Sequence, residues 1–212
     1  MKTDDLIQAL SADTARQRRS PDVLLAFALA ASVATAGAML LLTIGVRADF
    51  MTVLYTLRFP FKFVVTVSVV LTAAIVFRRS LFPVASRHPH ALLLLAGPLV
   101  LGLGVAAELS ALPPEAWAMA SRGKNALLCL TVIPALGVVP LALMLRTLQL
   151  AAPTRPVFSG FCAGILAGAI AATFYAAHCT DDSPLFMATW YPIAVGMLGA
   201  AGALLGRFVA RW

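Results

Sequence analysis

A short polar loop holds most of the side chains in this sequence that can do chemistry. Its seven residues lie between two long apolar segments and are His178, Cys179, Thr180, Asp181, Asp182, Ser183 and Pro184. A thiol, an imidazole and carboxylates bind metal ions, and a thiol also undergoes redox chemistry. Pro184 favours an extended or turn conformation at Ser183 and is suited to begin a helix, so we expect a sharp turn. The 178–184 loop is therefore the predicted site of sensing or reaction.

Three cysteines occur in the chain, at positions 129, 162 and 179. Cys162 and Cys179 are 17 positions apart along one apolar segment, about 25 Å in a helix that rises about 1.5 Å per residue. That separation excludes a disulfide between them within one chain, because bridged Cα atoms are about 4.4–6.8 Å apart. Cys129 is expected at the same depth as Cys179, and the short connection at 146–156 favours contact between their two segments.

Two kinds of chemistry are open to Cys129 and Cys179. In an oxidising compartment they can form a disulfide. As thiolates, together with His178 and Asp181 or Asp182, they can bind a soft metal such as Zn, Cd or Cu(I), although no spacing matches a standard zinc motif. The simplest alternative is structural: Cys129 is then a small apolar residue in a helix interface and His178 an interfacial cap.

The composition indicates a membrane protein. Of the 212 residues, 61% are hydrophobic and 12% are charged, whereas soluble domains carry about 25% charged residues. Six apolar segments reach or approach the roughly 17–25 residues that cross a bilayer as a helix, at 23–46, 59–77, 91–107, 126–145, 157–177 and 185–205. We predict an all-α polytopic membrane protein in the lipid bilayer, a six-transmembrane-helix bundle. A cytoplasmic segment is expected at 1–22 and the transmembrane domain at 23–212.

The basic residues predict the orientation of the bundle. With the N-terminus inside, the cytoplasmic face holds 11 of the 16 Lys and Arg residues and the outer face holds 5. This asymmetry fits the positive-inside rule, places both termini in the cytoplasm and turns the 178–184 loop outward. It also accounts for the formal net charge of +7 without direct binding to nucleic acid.

Few features of the apolar segments suggest transport or catalysis. No Asp, Glu, Lys, Arg or His is expected deep in any segment, which argues against an ion-coupled pump. Glu108 is expected at a solvated helix end, and the long side chains of Arg58 and Lys62 are expected to reach the interface. Trp190 and Tyr191 are expected to be interfacial anchors. The sequence has neither an enzyme-like constellation nor a Cys-x-x-Cys motif.

Small residues recur at four-residue spacing in the last two segments. They are Gly160, Gly164 and Gly168 in the fifth and Gly202 and Gly206 in the sixth. This spacing lets helix backbones approach closely. It suits either packing within the bundle or assembly of a homo-oligomer.

The N-terminal segment has the pattern of a short amphipathic helix. Asp4 and Asp5 favour a helix start, and Leu6, Ile7 and Leu10 form one apolar stripe. Two interpretations are open. The segment is either a leader whose arginines hold the N-terminus inside, or a helix that docks its stripe on a partner.

Several of these features together resemble the NrsF-type family of inner-membrane anti-sigma factors, which act on extracytoplasmic-function sigma factors. They are residues 1–7 with Leu10 and Asp13, the six helices, Cys129, the 178–184 loop and Trp190-Tyr191. The resemblance covers nearly the whole chain and implies a regulator in the bacterial inner membrane rather than an enzyme. It implies that the N-terminal segment holds the sigma factor inactive. The predicted partner-binding residues are Asp4, Asp5, Leu6, Ile7, Leu10 and Asp13.

The resemblance also implies that Cys129 and Cys179 sense heavy metal or oxidative stress. A metal ion is then a transient signal rather than a cofactor. The predicted sensor site adds His178, Asp181 and Asp182 to the two cysteines. A change at the cysteines is expected to alter helix packing and release the sigma factor. The alternative from a different class is a small membrane transporter or a thiol-redox membrane protein.

Overall fold

The computed structural model describes residues 20–82, 89–151 and 153–209. These residues form eight α-helices, and a 3₁₀ helix, Pro89–Leu95, leads directly into the fourth. The α-helices are α1 (Pro21–Thr43), α2 (Phe50–Val53), α3 (Arg58–Ser80), α4 (Ala96–Ala111), α5 (Pro114–Arg122), α6 (Ala126–Leu150), α7 (Pro156–Ala176) and α8 (Pro184–Val209). None of the described residues is in a β-strand, so the all-α prediction is confirmed.

Six helical stretches are long and apolar enough to cross a membrane. They are Pro21–Thr43, Arg58–Ser80, Ala91–Ala111, Pro114–Leu150, Pro156–Ala176 and Pro184–Val209. The prediction of six spans is confirmed. The fourth stretch is longer than predicted because the short helix α5 precedes α6. The cytoplasmic placement of both termini stays a prediction.

Proline and a local cap begin several of these helices. Ser20 is the N-cap of α1 and accepts a hydrogen bond from the Val23 amide at 3.3 Å. Pro21, Pro156 and Pro184 stand at the start of α1, α7 and α8, where the missing proline N–H costs no helical hydrogen bond. Because α7 ends at Ala176 and α8 begins at Pro184, the connection between them is short and consists mainly of the 178–184 loop.

Helix α7 is the centre of the bundle. It packs against α1, α3, α6 and α8, and 67% of its most apolar 18-residue window is buried. The corresponding buried share of the other five spans is between 17% and 39%. Helix α4 contacts α3 and α8 at the periphery. Residues at the C-terminal end of α7 consequently face several other helices at once.

The glycine pattern is used inside the chain, between α7 and α8. A Cβ atom on Gly160 would lie 2.2 Å from the Gly202 carbonyl oxygen, and one on Gly164 would lie 2.0 Å from the Leu198 carbonyl oxygen. Side chains at these positions would force the two backbones apart. Of the two uses that the spacing allowed, the described contacts show packing within the bundle, and homo-oligomer assembly stays a prediction.

The buried apolar residues form two clusters along the bundle. Cys162 belongs to one, with residues such as Phe77 and Leu148, whereas Cys129 and Cys179 belong to the other. The predicted separation of Cys162 from Cys179 is confirmed. The predicted partner-binding residues Asp4, Asp5, Leu6, Ile7, Leu10 and Asp13 lie outside the described residues, and the boundary at residue 22 stays a prediction.

Candidate functional site

The structure brings Cys129 and Cys179 together at one end of the bundle. Cys129 lies in the first turn of α6, and Cys179 follows the C-terminal end of α7. Their residues are 0% and 1% exposed, and both cysteines are free. Both cysteines belong to one buried cluster, and the Cys179 thiol donates a hydrogen bond to the Asp181 carbonyl oxygen at 3.7 Å. The site is therefore a buried, reduced thiol pair.

Two tyrosines complete the surroundings of the thiols. Tyr175 and Tyr191 are 0% and 4% exposed, and their ring centroids are 6.1 Å apart. Both tyrosines belong to the same buried cluster as the two cysteines, and their phenol oxygens have no hydrogen-bond partner among the described residues. The expectation that Tyr191 is an interfacial anchor is wrong, because it belongs to the buried cluster with the cysteines. Sequence reasoning did not identify Tyr175, although its position four residues before Cys179 was a usable signal.

A buried lysine lies beside the thiol pair. Lys62 is 0% exposed, and its Nζ lies 2.6 Å from Asp182 Oδ1 and 2.8 Å from the Cys179 carbonyl oxygen. The expectation that the Lys62 side chain extends to the surface is wrong, because its ammonium is buried. The expectation that no charge lies deep in a segment stays a prediction, since Lys62 is only the fifth residue of α3. A buried ammonium is tolerated here because a carboxylate and a carbonyl replace its water.

Arg47 holds the same aspartate from the other side. Its Nη1 lies 3.0 Å from each carboxylate oxygen of Asp182 and 3.3 Å from the Cys179 carbonyl oxygen. Its Nε and Nη2 donate to the two carboxylate oxygens of Asp49 at 2.6 and 2.8 Å. The hydrogen bond to Asp49 is the main reason that the pKa of Arg47 is raised and the pKa of Asp49 lowered. Asp182 is therefore shared between two cations, and it fixes the loop on both α3 and the 44–49 turn.

Asp181 fastens the loop to the start of α6. Its Oδ2 accepts hydrogen bonds from the Lys124 amide at 2.9 Å, the Asn125 amide at 2.8 Å and Asn125 Nδ2 at 2.9 Å. A carboxylate at this end of a helix also interacts favourably with the helix dipole. A Cβ atom on Gly123, whose φ is +56°, would lie 2.9 Å from the same oxygen. Asp181 thereby sets the position of the helix that carries Cys129.

Ser183 and Glu108 fasten the loop to α4 and α8. Glu108 Oε2 accepts hydrogen bonds from Ser183 Oγ at 2.7 Å and from the Leu185 amide at 3.1 Å. Its other oxygen lies 3.3 Å from Arg58 Nη2. The expectation that Glu108 is solvated is wrong, since the residue is 5% exposed. The physical reason is that the first amides of α8 need an acceptor that the helix itself cannot supply.

His178 and the two aspartates are committed to holding the loop rather than to the sulfur atoms. The His178 Nδ1 lies 3.0 Å from the Gly45 carbonyl oxygen, to which it donates as the Nδ1–H tautomer. Within the described ranges, no three or more His, Cys, Asp or Glu side chains are grouped as a metal site. Of the five predicted sensor residues, Cys129 and Cys179 form the buried thiol pair, and His178, Asp181 and Asp182 hold the loop beside it; their role as a sensor stays a prediction. Metal binding by the pair stays a prediction.

The surroundings activate the Cys179 thiol. The hydrogen bond from Cys129 and the nearby Lys62 ammonium lower the pKa of Cys179 from 9.0 to about 7, although burial acts in the opposite direction. A thiolate is the form that binds metals and attacks oxidants or disulfides. The arrangement can therefore form a disulfide or bind a soft cation near neutral pH.

Comparison with known proteins finds relatives along the whole chain. The sequence profile of the family described as "NrsF: Negative regulator of sigma F" matches residues 10–212. The "Probable anti-sigma-F factor NrsF" of Azospira oryzae is 33% identical over 218 residues, which cover 100% of both chains. The "Anti-sigma-F factor NrsF" of Caulobacter vibrioides is 31% identical over the same coverage. No solved structure matches the chain.

Proposed function

Because the chain belongs to the NrsF family of negative regulators of sigma F, we propose that it is a membrane-bound anti-sigma factor that holds an extracytoplasmic-function sigma factor inactive. The observation that carries this proposal is the family match over residues 10–212. The six membrane-length helices support a multi-pass position, which we assign to the bacterial inner membrane. This family membership favours a regulatory role over the transporter and thiol-redox alternatives.

The N-terminal segment is the proposed binding site for the sigma factor. Its apolar stripe of Leu6, Ile7 and Leu10 docks on the partner, and Asp4, Asp5 and Asp13 supply charge around the stripe. Apolar residues at helical spacing are the usual anchors when a helix binds in a groove. The sigma factor is thereby kept at the membrane and away from the transcription machinery.

The thiol pair is the proposed sensor. On oxidation, the S–H bonds of Cys129 and Cys179 break and an S–S bond forms, while two protons and two electrons pass to an oxidant such as a peroxide. A soft metal ion instead displaces the two protons and bonds to both sulfurs. Support for this role comes from the burial of both thiols in one cluster and the lowered pKa of Cys179.

Helix α3 offers a route from the sensor to the N-terminal segment. At one end, Lys62 binds Asp182 and the Cys179 carbonyl oxygen. At the other end, Arg78 Nε and Nη2 bind the two carboxylate oxygens of Asp22 at 2.7 and 3.0 Å. The 16 positions between Lys62 and Arg78 span about 24 Å of helix. A shift of α3 when the sulfurs react therefore changes the contact that anchors the start of α1, next to the sigma-binding segment.

Capture of the sigma factor tests the first part of the proposal. We expect Leu6→Asp with Leu10→Asp to abolish co-purification of the sigma factor with the detergent-solubilised protein, because two carboxylates replace the apolar anchors. A matched control, Gln8→Asp with Ala12→Asp, adds the same charge on the opposite face of the segment and should retain the partner. Equal recovery of the sigma factor with both double variants would refute the proposal that the apolar stripe binds the sigma factor. Absence of any sigma factor even from the parent protein would instead favour the transporter or redox alternative.

Release of the sigma factor tests the sensor. After exposure of cells to peroxide or a soft metal salt, Cys129→Ser and Cys179→Ser should keep the sigma factor bound. The control Cys162→Ser should release it like the parent, because Cys162 belongs to the other buried cluster. Normal release from the first two variants would rule out the thiol pair as the sensor while leaving the anti-sigma role intact.

A further inference from the structure

Two buried tyrosine hydroxyls have no evident use in the reduced protein. Tyr175 Oη and Tyr191 Oη are buried without a hydrogen-bond partner in the described part of the chain. Buried hydroxyls are almost always hydrogen-bonded, and phenylalanine would fill the same space without burying a polar atom. Both tyrosines pack in the same buried cluster as Cys129 and Cys179. The hydroxyls therefore face a group whose hydrogen-bonding needs can change.

When the thiol pair binds a cation, its sulfurs change from hydrogen-bond donors to acceptors. In the reduced protein, the Cys179 thiol donates a hydrogen bond to the Asp181 carbonyl oxygen at 3.7 Å. Binding of one cation by both sulfurs removes both thiol protons and leaves two thiolates that can only accept hydrogen bonds. Hydrogen bonds to a charged acceptor are among the strongest in proteins. The two phenol hydroxyls are placed to supply them.

We propose that Tyr175 and Tyr191 complete the Cys129–Cys179 pair as a binding site for a soft, two-coordinate divalent cation such as Hg(II), with the phenol hydroxyls donating hydrogen bonds to the metal-bound sulfurs. Two S–H bonds break, two metal–sulfur bonds form, and two protons leave to solvent. No electron is transferred. This inference rests on the proposed sensor function and names the class of ion that the site takes.

The composition of the site argues for two-coordinate binding. Zinc in proteins is almost always held by four ligands or by three and a water, and the described residues offer no third His, Cys, Asp or Glu ligand next to the sulfurs. His178 is bonded to Gly45, and Asp182 is bonded to Lys62 and Arg47. Two thiolates neutralise a divalent ion, so the complex carries no net charge. A neutral complex suits surroundings in which a net charge is costly.

The affinity for Hg(II) tests the inference on the full-length protein in detergent. A Cys162→Ala background leaves only the proposed pair of thiols. Binding is followed by the ultraviolet thiolate-to-metal absorption and its strength is measured by competition with glutathione. We expect one Hg(II) per chain, and about 10-fold to 100-fold weaker binding for Tyr175→Phe and for Tyr191→Phe, the loss of one hydrogen bond to a charged group. The control Tyr55→Phe changes the third tyrosine, which is 91% exposed, and should bind like the parent.

Several outcomes would overturn the inference. Parent-like affinity in both Tyr175→Phe and Tyr191→Phe removes the tyrosines from the site, and equally tight binding of Zn(II) removes the two-coordinate assignment. A measurement on the unsubstituted tyrosines guards against misfolded variants: Hg(II) should shift the tyrosine bands in ultraviolet resonance Raman spectra, and an unchanged spectrum contradicts the proposal. The result is independent of sigma-factor release. If the cysteine variants block release but the tyrosine variants bind normally, the proposed function stands and this inference fails.

Discussion

At the scale of single residues, the site is organised by unequal burial of its ionic groups. Lys62 is fully buried, whereas the side chain of Asp182 is 19% exposed and has Arg47 as a second cationic partner. Removal of Lys62 and removal of Asp182 therefore have different consequences. Without Lys62, Asp182 is still paired with Arg47. Without Asp182, the buried Lys62 ammonium keeps its hydrogen bond to the Cys179 carbonyl oxygen but loses its carboxylate partner.

This asymmetry predicts the order of two substitutions. Asp182→Ala should lower the free energy of unfolding by about 3–5 kcal/mol, the usual cost of leaving one member of a buried pair unpartnered. Lys62→Met should cost clearly less, and the double variant should be more stable than Asp182→Ala alone. Chemical denaturation in mild detergent, arranged as a double-mutant cycle, measures all three. A double variant less stable than both single variants would contradict the assigned pairing.

The Cys179 thiol is expected to titrate near neutral pH. Since its pKa is lowered to about 7, the thiolate fraction of the metal-free protein should rise mainly between about pH 6 and 8, below the range of an ordinary cysteine. The ultraviolet absorbance of the thiolate measures this in a Cys162→Ala background. In Cys129→Ala, the midpoint should move upward, because the hydrogen bond from Cys129 is the largest cause of the lowering. A midpoint that does not move would refute that cause.

At the scale of helices, the pairing of α7 with α8 holds the bundle together. The backbones meet at Gly160, Gly164 and Gly202, where added Cβ atoms would overlap backbone atoms of the opposite helix. Without a hydrophobic driving force between helices in lipid, such close contact is a main source of association. The pairing also fixes the two helices that flank the 178–184 loop.

Gly164→Ala should therefore destabilise the protein. The new methyl group would lie 2.0 Å from the Leu198 carbonyl oxygen, and overpacking of this kind costs about 1–3 kcal/mol. The matched control is Gly196→Ala on α8, where nothing lies within 4 Å of the added Cβ, and its stability should be unchanged or slightly higher. Thermal unfolding in detergent compares the two. Equal midpoints would contradict the close contact between the α7 and α8 backbones.

At the scale of the whole molecule, the orientation in the membrane decides which side can carry a signal. The basic residues favour cytoplasmic termini and an outward 178–184 loop. Arg47, which binds to Asp182 in that loop and to Asp49 in its own turn, places the 44–49 turn on the same side. In this predicted orientation, the proposed sensor and the proposed sigma-binding segment lie on opposite sides of the membrane, which is why the proposal includes a route along a helix.

Labelling with a membrane-impermeant maleimide tests this orientation. In a chain with all three cysteines changed to alanine, Tyr55→Cys should be labelled in intact spheroplasts, because the residue is exposed in the connection between α2 and α3 on the predicted outer side. Thr154→Cys, exposed in the connection between α6 and α7, should react after lysis alone. The reverse pattern would invert the topology and exclude a cytoplasmic N-terminus.

The sequence by itself determined the features that depend on local composition. Six apolar runs of membrane length predicted six spans, because a bilayer requires about 20 apolar residues per helix wherever they occur in a chain. The rise per residue of a helix likewise predicted that Cys162 and Cys179 lie far apart, because both belong to one apolar segment. Proline at residue 184 predicted where the last helix begins, and the structure confirms it.

The tertiary structure alone decided how the polar groups are paired. Lys62 meets the Cys179 carbonyl oxygen across 117 positions, and Glu108 meets Ser183 across 75. Lys62 and Glu108 were expected at helix boundaries, but both are buried because each binds a partner far away in the sequence. The residues around each one do not indicate that partner. The burial of Tyr191 follows from the same cause, since packing of α8 against its neighbours turns that residue toward the thiols. Away from water, buried polar groups are satisfied by one another, so their identity as a site depends on the fold rather than on the sequence around each one.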